Sequence, residues 1–353
     1  MTHTAIRHIL VLLGFALLLC TGCQESQPEG DAAATLTIAS FGGSYQEAQR
    51  KAYFDPFAKE KGIKVVEHSY EGDLDQIKSA VESREGAWDV VSVESTAVPQ
   101  GAKLGLYEPI DYTIVPRDVL PPEAVDTYGV AGCFWSTVLS YNTRHYTSSV
   151  RRPQNWKEFW DVESFPGPRA LRESPIGNIE FALLADGVAV DDLYPPDLDR
   201  AFGMLDQITN RISVWWETGE QPVQLLAHGE AVLASAWNGR IYNARETGEA
   251  VDIEWNQGML NSDWWIVPKS SRHKRLAMEF IAFALDPNAQ AAFTSYIPYS
   301  PSNPAAEKLI PTDRLKDLPA SGSNRNKQFL VNTKWWAENR DKVMKRWNEW
   351  LLK

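Results

Sequence analysis

The sequence is poor in cysteine and in positive charge, and each shortage excludes something. Three cysteines in 353 residues cannot supply a disulfide framework, so a small stapled scaffold is ruled out. Lys and Arg number 35 against 46 Asp and Glu, a net charge of −11. Binding to nucleic acid needs clustered cations to neutralise phosphate, so no nucleic-acid partner is expected. Enzyme signatures are missing too. There is no Gly-x-Ser-x-Gly elbow, no His-Glu-x-x-His and no phosphate-binding Gly-Lys-Ser/Thr loop. His68, His145, His228 and His273 are scattered without ligand spacing, and the acidic stretches near Asp191 and Asp197 lack the calcium-loop pattern. No metal, no cofactor and no catalytic residue are expected. A hydrolase using a carboxylate pair stays open at this level, because such pairs leave no sequence signature.

What is present is apolar content and tryptophan. A 44% hydrophobic chain of this length fills one large core or two medium ones. Fourteen Trp exceed what a core of that size ordinarily takes and invite a search for an aromatic site. The N-terminus reads as a targeting segment: Arg7, then the apolar run Ile9–Leu19, then Cys20-Thr21-Gly22-Cys23. The run is short for a membrane-spanning helix. It resembles a bacterial lipoprotein signal, with Cys23 as the acylated first residue of the mature chain, although Cys20 stands where such signals usually carry Leu. An ordinary cleaved signal is the alternative. The expected organisation is a signal over residues 1–23, a polar tether over 24–34 and a globular part over 35–353. The protein is expected to be exported, in the periplasm or at the cell surface, anchored to the membrane through lipidated Cys23. Cys133 would then be the one free thiol.

The first part of the globular region alternates strand and helix. Leu36–Ser40, Ile63–His68 and Trp88–Val93 read as strands. Ser44 and Glu47 form a capping-box pattern, and the helix it opens should kink or restart at Pro56 and stop at Gly62. Leu74, Ile77 and Val81 have helical spacing. This rhythm implies parallel crossovers, and ligands of parallel sheets bind beyond the carboxyl ends of the strands. Those ends carry Phe41-Gly42-Gly43, Ser69-Tyr70-Glu71 and Glu94-Ser95-Thr96. Further along, Trp156–Trp160, Ile179–Ala185, Asp199–Thr209 and Gln221–Gly229 read as helices. Val232–Trp237, Asp252–Trp255 and Trp264–Val267 read as separate strands. Lys274–Leu285 reads as an amphipathic helix, Pro298–Pro304 as a loop or crossover, and Asn332–Leu352 as a closing helix that buries Trp336, Val343, Trp347 and Trp350.

Taken together, Phe41–Tyr45, Phe54–Phe57, Trp88–Val91, Ala236–Arg240, Asp263–Pro268, Tyr299–Pro301 and Trp335-Trp336 resemble, in order and spacing, the bacterial extracellular solute-binding proteins of ABC importers. The resemblance is to the branch that takes polyamines, γ-aminobutyrate and opines. It implies a two-lobe α/β periplasmic binding protein fold of type II, with the ligand cleft between lobes. Lobe 1 would comprise about 35–131 and 257–300, and lobe 2 about 132–256 and 301–353. It also implies permease subunits as partners, a monomeric protein and no covalent chemistry.

An ammonium ligand needs carboxylates and aromatic faces to replace its water. By resemblance, Asp263 stands where relatives hold an amine, Glu94 falls near a ligand-touching loop, and Trp237, Tyr299 and Phe41 fall on aromatic walls; each ring could equally be core. Arg240 adds a group suited to a carboxylate, and Gly43, opening a helix, could offer backbone N–H groups to an anion. Arg240 could instead pair with a neighbouring Glu at the surface. Glu180 should face either the cleft or solvent, since an ionised carboxylate in a dry core is unfavourable, with the cleft preferred. Trp135 would line the cleft or pack the crossing between lobes. At most one of Trp215 and Trp216 should reach a ligand, because strand neighbours point to opposite faces. An amine-bearing ligand is expected, either an amino carboxylate or a polyamine. A sensory receptor using the same cleft and a sugar-binding importer component are the alternatives.

Overall fold

The computed structural model describes residues 34–83 and 88–352. The expected signal with Cys23, and all but the last residue of the tether, lie outside the described residues. Eight strands set the frame: β1 (Thr35–Ser40), β2 (Lys64–Ser69), β3 (Val90–Glu94), β4 (Val130–Asn142), β5 (Arg169–Arg172), β6 (Ile212–Trp216), β7 (Leu233–Trp237) and β8 (Val251–Ile266). They form one sheet in the order β2-β1-β3-β8-β4-β7-β5-β6. At one end β1 pairs in parallel with β2 and β3. At the other, β5 pairs in parallel with β6 and β7. The antiparallel pair β8–β4 joins these units, with β3 antiparallel to β8 and β7 antiparallel to β4.

The packing has two main bodies. One apolar cluster draws on residues between Leu36 and Trp135 and between Leu260 and Tyr299, with Phe54, Phe57, Trp265 and Phe280 at its centre. A second draws on Leu139–Ile208 and on the C-terminal helix Thr333–Leu351, which buries Trp336, Val343, Trp347 and Trp350 as its spacing predicts. A smaller cluster around Trp216 and Leu226 adjoins it. β4 and β8 run from the first body into the second.

Three local expectations are corrected, while the restart of the first helix at Pro56 and its stop at Gly62 are met. The capping box does not form: the helix Gly43–Gln49 starts at Gly42, whose N–H is met by Gln46, while Glu47 pairs with Lys51 at 2.7 Å. Before Pro56 the helix passes through a π-helical stretch, Arg50–Phe54, and only then resumes over Asp55–Lys61 to end at left-handed Gly62. Pro56 thus sits in the first turn of the resumed helix, where no N–H is required of it. The separate strands at Asp252–Trp255 and Trp264–Val267 are one strand, β8. Opposite Val138 the register shifts, with Leu139 facing Glu254 and Thr137 facing Met259. The extra residues bulge outward at Gln257, the one non-glycine residue with positive φ among those described (61°), and its side-chain and backbone oxygens both accept from Trp156. The Pro298–Pro304 segment carries a two-residue strand, Ser300–Pro301, paired to β4.

Candidate functional site

The carboxyl ends of both parallel units converge on the gap between the bodies. β1 delivers Phe41, β3 ends at Glu94, β5 ends at Arg172 and β7 ends at Trp237. Between them lies a small cavity of about 40 Å³. Phe41, Tyr45 and Tyr299 form aromatic walls, Trp135 and Trp237 form another side, and Glu94, Asp263 and Arg240 supply the charges.

The acidic end is built by the sheet. Asp263 on β8 stands opposite Glu94 on β3 in the antiparallel register, so two carboxylates are held side by side by backbone hydrogen bonds rather than by loops. The Asp263 Oδ1 accepts from Trp135 Nε1 at 2.8 Å, which assigns Trp135 to the cavity side of the crossing strand. Asp263 is fully buried. Loss of water, with the Glu94 charge as a second cause, pushes its pKa up from 3.8 to about 8, against the Trp135 and Tyr45 hydrogen bonds that pull it down. Glu94 is only partly buried, and Arg172 reaches it from the second body at 3.7 Å.

The basic end is Arg240, on the helix Asn238–Glu246 that follows β7. It is 8% exposed. Its Nη1 donates to Ser44 on the opposite body and lies 3.2 Å from Glu220. So Arg240 does pair with a neighbouring glutamate: the guanidinium is buried in the gap, while Glu220 stands exposed at its rim. Its Nε and the Trp237 Nε1 are buried without a protein hydrogen-bond partner, an arrangement that natural proteins avoid unless another acceptor visits. The rings interlock: Tyr45 lies 5.8 Å from Tyr299 and 5.9 Å from Phe41, and Trp135 meets Trp237 edge-on at 5.8 Å. Burial pushes the Tyr45 and Tyr299 hydroxyls well above the usual phenol range, so both are neutral donors.

Seven of the residues singled out from sequence thus line one cavity. Gly43 does not line it. Its φ of +57° favours glycine, and a Cβ there would meet Arg240 Nη2 at 3.4 Å, an ordinary contact, so the backbone turn accounts for the glycine. Glu180 is a correction. It faces neither the gap nor solvent but the second core, where its carboxylate accepts from Trp336 Nε1 at 2.7 Å, Tyr194 Oη at 2.5 Å and the Gly177 N–H at 2.9 Å. The helix Pro175–Ala185 kinks at Ile176 and Gly177, which turns the carboxyl inward. Burial raises its pKa. Trp216 packs edge-on against Trp237 at 5.5 Å while Trp215 packs on Trp347 and Trp350, and neither lines the cavity.

Four residues escaped the sequence reading. Tyr45 sits inside the Phe41–Tyr45 motif but was read only as helix. Ser44 meets Arg240 across the gap. Gly219 and Gly239 carry no chemistry, yet a Cβ on Gly219 would come 2.4 Å from the Trp237 ring and one on Gly239 2.5 Å from the Tyr299 ring. Close backbone approach to a ring leaves no sequence signal beyond the glycine itself.

A family model described as bacterial extracellular solute-binding protein matches residues 52–321. A γ-aminobutyric acid-binding protein of Pseudomonas aeruginosa is 38% identical over 326 residues, spanning 90% of this chain and 91% of that protein. The solved ABC-transporter substrate-binding protein of Bradyrhizobium japonicum is similar in fold with a TM-score of 0.86 at 38% identity, covering 90% of this chain and 99% of that one. A solved γ-aminobutyrate receptor is similar with a TM-score of 0.82 at 36% identity, covering 90% and 97%. The family match and a two-lobe α/β fold shared with these proteins along nearly the whole chain make this protein a member of the bacterial extracellular solute-binding family: the substrate-binding component of an ABC transporter, and not an enzyme.

Proposed function

We propose that this protein captures a small amino carboxylate, of the size and charge of γ-aminobutyrate, and delivers it to the permease. The observation that carries the reading is that opposite charges line one cavity from opposite lobes, Asp263 and Glu94 on one side and Arg240 on the other. A zwitterion uses both. A polyamine offers no anionic end to Arg240, whose unpartnered Nε favours a carboxylate. The cavity is small, about 40 Å³, which supports a compact ligand. The likeness to a γ-aminobutyric acid-binding protein and to a γ-aminobutyrate receptor points the same way.

In this reading the ligand ammonium rests between Asp263 and Glu94 under the Trp237 and Phe41 rings, and the closed form gains contacts from both lobes, so ligand shifts the population toward closure. Lobe 1 comprises about 35–131 and 257–300 and lobe 2 about 132–256 and 301–353, a division supported by the two apolar clusters. The mature chain acts as a monomer tethered to the membrane at Cys23. An incoming ammonium stabilises the Asp263 carboxylate, so binding below pH 8 releases a proton and affinity rises between pH 5 and pH 8. Isothermal titration with γ-aminobutyrate, putrescine and glucose tests the ligand class. Micromolar binding of γ-aminobutyrate alone is expected; binding of glucose in its place, with both amines weaker than millimolar, refutes it.

A further inference from the structure

The gap does not end at Glu94. The same carboxylate lines a second, outer space of about 250 Å³, whose walls carry Glu71 and Asp73 from one lobe and Arg172 and Arg340 from the other. Glu71 and Asp73 are exposed. Arg172 stands where the two spaces meet. Its backbone is fixed on both sides: its N–H donates to Ser235 Oγ at 3.2 Å and its carbonyl accepts from Asn178 Nδ2 at 2.7 Å. Its guanidinium crosses to Glu94 at 3.7 Å and lies over the Trp237 ring at 5.2 Å and the Trp216 ring at 5.8 Å.

We propose that Arg172 is the gate between the two spaces and a specificity-determining residue: it confines the protein to ligands whose one ammonium group ends in the inner cavity and rejects polyamines. The inference rests on the amino-carboxylate reading of that cavity. A polyamine seated with one ammonium at Asp263 must run its next ammonium out past Glu94, because the other end of the inner cavity is closed by the Arg240 cation. The outer space would suit that second cation, since it holds three carboxylates, Glu71, Asp73 and Glu94, against the two guanidinium groups of Arg172 and Arg340. Arg172 removes this opportunity twice. It fills the passage, and it places a positive charge where the second ammonium must pass. Discrimination then comes from a repulsive element rather than from an added contact to the favoured ligand. Without Arg172 the balance in the outer space is three carboxylates to one guanidinium.

The test is titration calorimetry of γ-aminobutyrate and spermidine with wild-type protein, Arg172→Gln and Arg172→Lys. Wild type should bind γ-aminobutyrate and take spermidine at least a hundredfold more weakly. Arg172→Gln should shift the ratio of the two dissociation constants at least fivefold toward spermidine, and Arg172→Lys, which keeps the charge, should shift it less than Arg172→Gln does. Should Arg172→Gln fail to fold, Arg172→Met keeps the stem against Trp237 and removes the charge. A wild type that binds γ-aminobutyrate, with a ratio that moves less than fivefold in the uncharged variant, overturns the gate alone. A wild type that takes spermidine as tightly as γ-aminobutyrate also overturns the gate alone, and one that binds neither overturns the cavity reading with it.

Discussion

Asp263→Asn should stabilise the empty protein while it weakens ligand binding. Asn is nearly isosteric, and its carbonyl oxygen can keep the hydrogen bond from Trp135 Nε1. What it removes is an ionisable group in a dry site. The Asp263 carboxyl titrates near 3.8 when solvated and at about 8 when buried beside Glu94. A carboxyl whose pKa is raised by folding contributes no penalty below the unfolded value. The penalty grows as pH climbs from about 4 and levels off above about 8. At pH 7 the interval is ~3 pH units, each worth ~1.4 kcal/mol, so the empty closed form is destabilised by up to about 4 kcal/mol. Opening of the lobes rehydrates the group and reduces this, but the sign is fixed. Thermal melts of ligand-free wild type and Asp263→Asn should coincide near pH 4 and separate toward pH 8, with the variant several degrees higher at about 2 °C per kcal/mol. The same variant should lose about 2–4 kcal/mol of binding to an amine ligand, because its charged partner is gone. A melting difference that is flat between pH 4 and pH 8, or a variant that melts lower at pH 8, would show that Asp263 is not a desolvated carboxyl, and the account of the ammonium end would go with it.

Other outcomes follow from the same geometry. Glu180→Ala should destabilise the fold by about 2–4 kcal/mol, since it strands the buried Trp336 and Tyr194 donors, while ligand affinity stays within threefold; denaturant melts and calorimetry together separate the two. Gly239→Ala should push Tyr299 out of place and weaken binding tenfold or more in a protein with an unchanged circular dichroism spectrum, because overpacking at such a contact costs about 1–3 kcal/mol. Cys23→Ser should move the protein from the detergent phase to the aqueous phase on Triton X-114 partitioning; an unchanged partition would refute acylation at that residue.

Much of the cavity was legible because independent signals lead to the same gap. The strand-end rule for parallel sheets leads to Phe41 and Glu94, the resemblance to solute-binding proteins leads to Asp263, Trp237 and Tyr299, and the fit of a guanidinium to a carboxylate leads to Arg240. What stayed hidden has a physical reason in each case. Asp252–Trp255 and Trp264–Val267 read as separate strands, whereas the chain absorbs the residues around Gln257 as a bulge and continues one strand. Glu180 was expected to avoid the core, but a kink at Gly177 brings an N–H, an indole and a phenol to its carboxylate, and a carboxylate so supplied can be buried. Tyr45 was missed because a helical register alone does not tell which ring faces a gap that only the second lobe closes.

β4 and β8 belong to both bodies, and every residue of β4 is buried. Neither half therefore owns a complete set of paired strands. A fragment ending at Asn142 would carry β4 without its neighbours β7 and β8, and the remainder would expose the bare edge of β8 to other chains. The protein thus has two bodies for capture and one cooperative unit for folding: loss of order in either half withdraws strand partners from the other, and the chain cannot melt by halves.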